Sequence, residues 1–172
     1  MARRVVITGT GVIHALGKDT KTFWNAIKEG KNGITRVTKF DCSMLETKVA
    51  SEITDFDPTL YMDKKEAKRM DLFTQYAMAA SIMAVEEAGL DFSNEDPFRV
   101  GVLIGSGIGG IQTLEEQKVI LMEKGPSRVS PFFVPMMIAN MASGQVAIRF
   151  GICGFNECVM TACATANNAI GD

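Results

Sequence analysis

Cys158, Val159, Met160 and Thr161, all β-compatible, run directly into Ala162 and Cys163, and small residues with fair helix propensity, Ala164, Thr165 and Ala166, follow. That order specifies a strand, a tight turn and a helix, with Cys163 at the turn. A thiol at the first turn of a helix lies beside backbone N–H groups without intrahelical partners and at the positive end of the helix dipole, and both favour the thiolate. The same N–H groups can hold an oxyanion formed when the thiolate attacks a carbonyl. Most free cysteines are inert core fillers, but the small neighbours here leave room for a substrate at the sulfur. Cys163 is therefore the candidate catalytic residue, an acyl-accepting nucleophile.

The rest of the chain alternates short apolar runs with helical patterns. Val5, Val6 and Ile7 end at Thr8 and Gly9 and read as a strand buried on both faces; residues 100–104 read as a second and residues 157–161 as the last. Lys18, Asp19 and Thr20 open a helix with Phe23, Trp24 and Ile27 on one side and Gly30 as its stop. A short strand is expected near residues 48–50. Residues 71–88 give the clearest helix, because Leu72, Phe73, Tyr76, Ala80, Met83 and Ala84 recur at helical spacing before Gly89 and Leu90. Further helices are expected over 111–123 and 135–150, the second with Pro135 in its first turn and Gly151 after its end. Buried strands separated by helices specify an α/β fold, a mostly parallel sheet with helices on both faces.

Composition narrows the function classes. A chain of 172 residues, 47% apolar and 22% charged, suits one domain with a core of useful size and not a disordered segment. A net charge of −2 offers no handle for nucleic acid or anionic lipid. Cys42, Cys153, Cys158 and Cys163 lack paired ligand spacing and His14 is the only histidine, so neither a metal nor a cofactor is expected, and free thiols in a reducing cytoplasm are the default. Met1, Ala2, Arg3 and Arg4 before the first apolar run imitate a secretory leader until Gly9, Gly11 and Lys18 interrupt it, so none is expected. Residues 132–150 are apolar but carry Asn140, Ser143, Gln145 and Arg149, which reads as a buried helix and not a membrane span.

Three other features of the sequence bear on function. Gly105-Ser106-Gly107-Ile108-Gly109-Gly110 lies between a strand and a helix and formally fits the dinucleotide fingerprint. That fingerprint also requires a strand ending in an acidic residue roughly twenty residues on. Glu123-Lys124-Gly125-Pro126 stands there instead, so close backbone approach to a substrate is the better use of these glycines. Lys64, Lys65, Lys68 and Arg69 form the one dense basic run; at helical spacing Lys64 aligns with Lys68 and Lys65 with Arg69, which reads as a solvated face or a docking patch for an acidic partner. His14 follows the first strand, and no spacing brings it to Cys163, so it reads as structural.

Together these stretches carry a resemblance. Gly154-Phe155-Asn156-Glu157-Cys158-Val159-Met160-Thr161-Ala162-Cys163-Ala164-Thr165-Ala166, ending in Ile170-Gly171-Asp172, resembles the nucleophile segment of the β-ketoacyl-[acyl-carrier-protein] synthases. Arg4-Val5-Val6-Ile7-Thr8-Gly9-Thr10-Gly11, the residues 104–110 loop and Ser130-Pro131-Phe132-Phe133-Val134-Pro135 resemble the same family at the order and spacing of its elongating, synthase II members.

The resemblance implies a thiolase-like fold of α-β-α-β-α layers built from two similar halves. Residues 1–172 match the first half and end inside the nucleophile helix; the C-terminal half, which carries the family's two active-site histidines and its lysine, is absent from the sequence. It implies fatty acyl elongation by decarboxylative condensation through an acyl-Cys163 thioester, with no cofactor. Ile108 and Phe133 fall in the wall of the acyl pocket, and Val134 and Met137 reach towards a partner subunit's pocket or simply pack the core. Lys64, Lys65, Lys68 and Arg69 fall on the docking surface for acidic acyl carrier protein. Fatty acyl and malonyl thioesters, a cytoplasmic homodimer pairing near residues 155–161, and neither nucleic acid nor membrane complete the expectation. Ala166 stands where many members carry glycine, and Asn167 and Asn168 also depart from the common pattern. Alternatives are a thiolase-fold enzyme with another acyl donor, a dinucleotide-binding oxidoreductase, and a fragment acting only as a binding or dimerisation surface. A product of this length is expected to be inactive in condensation and poorly soluble alone.

Overall fold

A computed structural model describes residues 4–172, so Met1, Ala2 and Arg3, on which part of the leader question falls, lie outside the described residues. Helices account for most of the order. The elements are α1 (Thr20–Lys28), β1 (Thr35–Arg36), β2 (Val49–Ala50), α2 (Lys64–Ala67), α3 (Leu72–Ala88), β3 (Val102–Leu103), α4 (Ile111–Lys124), α5 (Phe133–Met137), α6 (Met141–Phe150), β4 (Asn156–Glu157) and α7 (Thr165–Gly171).

Local chemistry fixes the helix ends. The Asp19 carboxylate accepts from Thr22 N at 2.7 Å and starts α1. Asp63 and Glu66 close a capping box on α2: Asp63 Oδ1 accepts from Glu66 N at 2.9 Å and Asp63 N donates to Glu66 Oε2 at 3.2 Å. α3 stops at Gly89, whose φ of 63° is left-handed, with Leu90 N donating back to Val85 O at 3.2 Å. Gly151 ends α6 in the same way.

The core lies where α3 crosses α6 and both meet β3. Ala79, Ala142 and Ser143 are fully buried there, and such small side chains let the two helix backbones come close. Met62, Ala67, Met70, Met78, Val102, Val146 and Ala147 form the buried cluster, with Ile82, Ile104, Phe150 and Ile152 packed against it. β3 and β4 pair in parallel, Val102 opposite Asn156 and Leu103 opposite Glu157. Single backbone bonds continue that pairing as far as Ser106 N to Val159 O at 3.2 Å. The other pair, β1 with β2, is antiparallel. Asn156 Nδ2 donates to Ser143 O at 3.0 Å and ties β4 to α6.

Four expectations need correction. Val5, Val6 and Ile7 form no strand and are 91%, 62% and 82% exposed, so they are not buried on both faces. A strand exists only through a neighbour's backbone, and no described residue supplies one for this run. The helix expected over 135–150 is broken into α5 and α6. Gly110 N donates to Met137 O at 2.8 Å, taking the carbonyl that Met141 N would use in a continuous helix, and Met141 N turns to Ile138 O instead. The basic run is helical only as far as Ala67. The last strand spans only Asn156–Glu157 of the expected 157–161, because regular pairing with the two-residue β3 ends there.

Candidate active site

The turn that carries Cys163 is a strained elbow. Residues Ala162–Ala164 form a single 3-10 turn, and α7 begins only at Thr165, one turn later than the sequence implies. Ala162 has φ of 49°, the one non-glycine residue with positive φ among the described residues. L-residues other than Asn and Asp enter this region at a cost of the order of 1 kcal/mol, so something must hold it there.

Two side chains of α7 do so. Thr161 N donates to Thr165 Oγ1 at 2.8 Å, and Asn168 Nδ2 donates to Thr161 Oγ1 at 2.8 Å. Thr165 is buried, and behind it lies Gly105, where a Cβ would stand 2.1 Å from Thr165 Cγ2. The clasp therefore rests on the segment that follows β3, and Cys163 is held out on the exposed side of the turn. No described residue pairs with the Cys163 N–H. A thiol and an unpaired amide together on an exposed, braced turn are the parts an acyl transfer needs.

An apolar cleft of about 200 Å³ is lined by Ile108, Ile111, Leu114, Met137, Ile138 and Met160, the last in the segment that leads into the Cys163 turn, together with Gly110 and Ala139. Of the expected pocket residues it joins Ile108, from the glycine loop, and Met137, from α5. Phe133 is half-buried and Val134 exposed at the start of α5, and neither lines this cleft. The loop holding Ile108 is pinned from within by Gly109 N donating to Ser106 Oγ at 2.9 Å. Ile111 and Leu114 share one face of α4, a spacing visible in the sequence; Met160 and Ala139 carried no such signal.

A second cleft, about 430 Å³, contains Lys65 and Arg69 with Asp63, Glu66, Met70, Phe132, Pro135 and Gln145. The Arg69 guanidinium lies 4.7 Å over the Phe132 ring. Lys64 and Lys68 are exposed outside it, so the structure gathers one i, i+4 pair of the basic run and leaves the other in solvent. Arg149 pairs at 4.0 Å with Glu66, one of the residues that line this cleft. Asp63 is held below its ordinary value by the Glu66 and Lys65 backbone amides. Phe132 and Gln145 were not foreseen, since they come from elements distant in sequence.

His14 accepts from Leu16 N at 3.1 Å through Nδ1, with Phe23 edge-on to its ring at 5.1 Å, which accounts for it without a catalytic role. All four cysteines are free thiols. Among the described residues no cluster of acidic, histidine and cysteine side chains could hold a metal, and no helix is long and apolar enough to cross a membrane.

Comparison with known proteins gives these features a family. Residues 2–172 match the family model described as Beta-ketoacyl synthase, N-terminal domain. The chain is 50% identical over 170 residues to 3-oxoacyl-[acyl-carrier-protein] synthase 2 of Synechocystis sp., covering 99% of this chain and 41% of that protein. It is 49% identical, at the same coverage, to the protein of that name from Staphylococcus aureus strain N315, and 46% identical over 169 residues to that from Vibrio harveyi. The chain thus spans well under half the length of the curated relatives it matches.

Among solved structures, the chain superposes on AntDE:AntF, described as a type II PKS acyl-carrier protein in complex with its ketosynthase bound to the hexaketide. The TM-score is 0.82 at 25% identity, over 99% of this chain and 46% of that one. A β-ketoacyl synthase from Burkholderia phymatum STM815 gives 0.77 at 25% identity, over 99% of this chain and 42% of that one. The α/β architecture is accordingly that of the thiolase-like ketosynthases, and the chain belongs to the β-ketoacyl synthase family, whose N-terminal domain it matches.

Proposed function

We propose that this chain is the acyl-accepting half of a condensing enzyme that elongates fatty acyl chains on acyl carrier protein. The observation that carries the reading is the elbow at Cys163, an exposed thiol beside an unpaired N–H on a turn braced by Thr165 and Asn168. The Cys163 thiolate attacks the carbonyl carbon of an acyl-carrier thioester, the Cys163 N–H supports the oxyanion, and the carrier thiolate leaves and takes up a proton. The acyl group ends as a thioester on Cys163, with its tail directed to the Ile108 and Met137 cleft. Malonyl on a second carrier loses CO2, and the resulting carbanion displaces the Cys163 thiolate to give the elongated β-ketoacyl carrier.

Lys65 and Arg69, with Lys64 and Lys68 beside them, form the docking face for the acidic carrier; Phe133 and Val134 complete the acyl wall where a second subunit approaches. The active protein is a cytoplasmic homodimer. Residues 1–172 form one N-terminal half, and the groups that stabilise the enolate belong to the other. This chain alone therefore takes up acyl groups without condensing them.

Intact mass after incubation with an acyl-carrier thioester tests the reading. A single acyl adduct mapped to Cys163 and lost in Cys163→Ala is the expected result; no adduct, or one on Cys153, overturns it. The reading as a binding surface only draws on the exposure of Val5, Ile7 and Ile170. It predicts dimerisation without any adduct.

A further inference from the structure

Asp71 is a buried carboxylate that serves two helices. Its Oδ1 accepts from Phe73 N at 3.3 Å and starts α3, while its Oδ2 accepts from Thr113 N at 2.9 Å and from Thr113 Oγ1 at 2.6 Å. Thr113 lies in the first turn of α4, and the residue at the usual capping position there, Gly110, has no side chain to offer. Asp71 supplies that cap from forty-two residues away. A buried charge is tolerated only when hydrogen-bonded, and a carboxylate at a helix start gains from the dipole as well, so this joint is stiff.

The joint stands at the wall of the apolar cleft. A Cβ on Gly110 would come 3.0 Å from Asp71 Oδ2 and 2.4 Å from Met136 O, and one on Gly109 would come 2.5 Å from Met137 O. Gly110 N is bonded to Met137 O at 2.8 Å. Asp71 thus locks the first turn of α4, which carries Ile111 and Leu114, and this turn fixes the Ile108 loop against Met137. Ile111 and Leu114, and through the adjoining loop Ile108, thus take their positions from one carboxylate that does not line the cleft.

We propose that Asp71 is a positioning residue that sets the acyl-chain-length preference of this site. The inference rests on the acyl-accepting function proposed above. Loosening the Asp71–Thr113 joint lets the Ile108 loop and the start of α4 move away from Met137, and a wall that moves discriminates poorly between tails. In a well-fitted apolar pocket one methylene changes rates by about tenfold or more, so a small displacement is measurable.

The test measures the rate of Cys163 acylation by hexanoyl- and palmitoyl-carrier thioesters in the complete protein. Wild type is compared with Asp71→Asn, Thr113→Val and Thr113→Ser, and with Asp19→Asn as a control that neutralises a helix-capping carboxylate outside the cleft lining. The expected result is that the ratio of the two rates moves towards unity by at least about threefold in Asp71→Asn and Thr113→Val. Thr113→Ser, which keeps the donor, and Asp19→Asn should hold the wild-type ratio. Both rates falling in proportion, with the ratio unchanged, would show a joint that only stabilises the fold and would overturn the inference. Thr113→Val keeps the amide bond to Asp71, so it decides the matter even if Asp71→Asn does not fold. Wild type taking no acyl group from either thioester would instead sink the acyl-transfer reading, and this inference with it.

Discussion

Gly105 lies directly beneath Thr165: a Cβ there would stand 2.1 Å from Thr165 Cγ2 and 3.1 Å from Thr165 O. The segment that follows β3 and the start of α7 are in contact through this pair, and Thr165 in turn accepts from Thr161 across the Cys163 turn. Gly105→Ala must push α7 outward, at a cost of about 1–3 kcal/mol for overpacking. Thermal unfolding should show the loss. The rate of Cys163 alkylation by iodoacetamide should also depart from wild type, because the elbow moves with α7; an unchanged melting temperature would contradict the contact.

Ala162, with φ of 49°, makes a separate demand on the same turn. Ala162→Gly relieves the left-handed strain but loosens the unfolded chain, and the two effects nearly cancel, leaving a change within about 0.5 kcal/mol. Ala162→Val puts a β-branched side chain where such residues are outliers and should cost about 1–2 kcal/mol. Denaturant midpoints of the two variants, compared at equal slope, check the difference.

Tyr76 packs edge-on to Phe56 at 4.9 Å, and its buried hydroxyl has no hydrogen-bond partner among the described residues. An unsatisfied buried hydroxyl costs about 1–3 kcal/mol, so Tyr76→Phe should be neutral or stabilising. Burial raises the Tyr76 pKa above the ordinary 10.0. The folded state therefore holds this proton more tightly than the unfolded chain, and the associated stability is complete below pH 10 and is lost as pH rises through the folded value. Wild type should weaken more steeply than Tyr76→Phe in alkaline unfolding titrations.

Acid acts through other groups. The Thr22 amide, ahead of its hydroxyl, lowers Asp19; the Glu66 amide, ahead of that of Lys65, lowers Asp63; the Thr10 hydroxyl, ahead of its amide, lowers Glu87. Depressed carboxylates contribute stability that is present above their ordinary values, 3.8 for Asp and 4.5 for Glu, and lost as pH falls through the lower folded values. Urea midpoints should therefore hold down to about pH 5 and fall below it. Glu87→Gln should flatten that acid limb, and a limb of unchanged steepness would show that Glu87 does not contribute.

Much of the fold was legible because its causes are local. Asp19 and Asp71 start helices by bonding amides two or three residues away, and Gly89 and Gly151 end them through backbone freedom, so sequence spacing reports both. The site was legible in part. The elbow at Cys163 could be read from small and β-compatible residues, but its strain and the Thr161, Thr165 and Asn168 clasp could not. Ile108 and Met137 meet as one wall, whereas Phe133 and Val134 lie outside that cleft, because α5 ends where Gly110 takes the carbonyl of Met137.

The sequence by itself determined where α1, α3 and α4 begin and end, the thiol-bearing turn and the basic run, since each depends on neighbours along the chain. Only the tertiary structure decided that Asp71 caps α4 as well as α3, that one long helix divides at Met137, that Arg69 lies over Phe132, and that Val5, Val6 and Ile7 stand exposed. The physical reason is common to all four. A backbone or charged group takes whichever partner the packed chain brings within reach, and that partner can lie forty-two residues away, as Thr113 does from Asp71, beyond any local pattern.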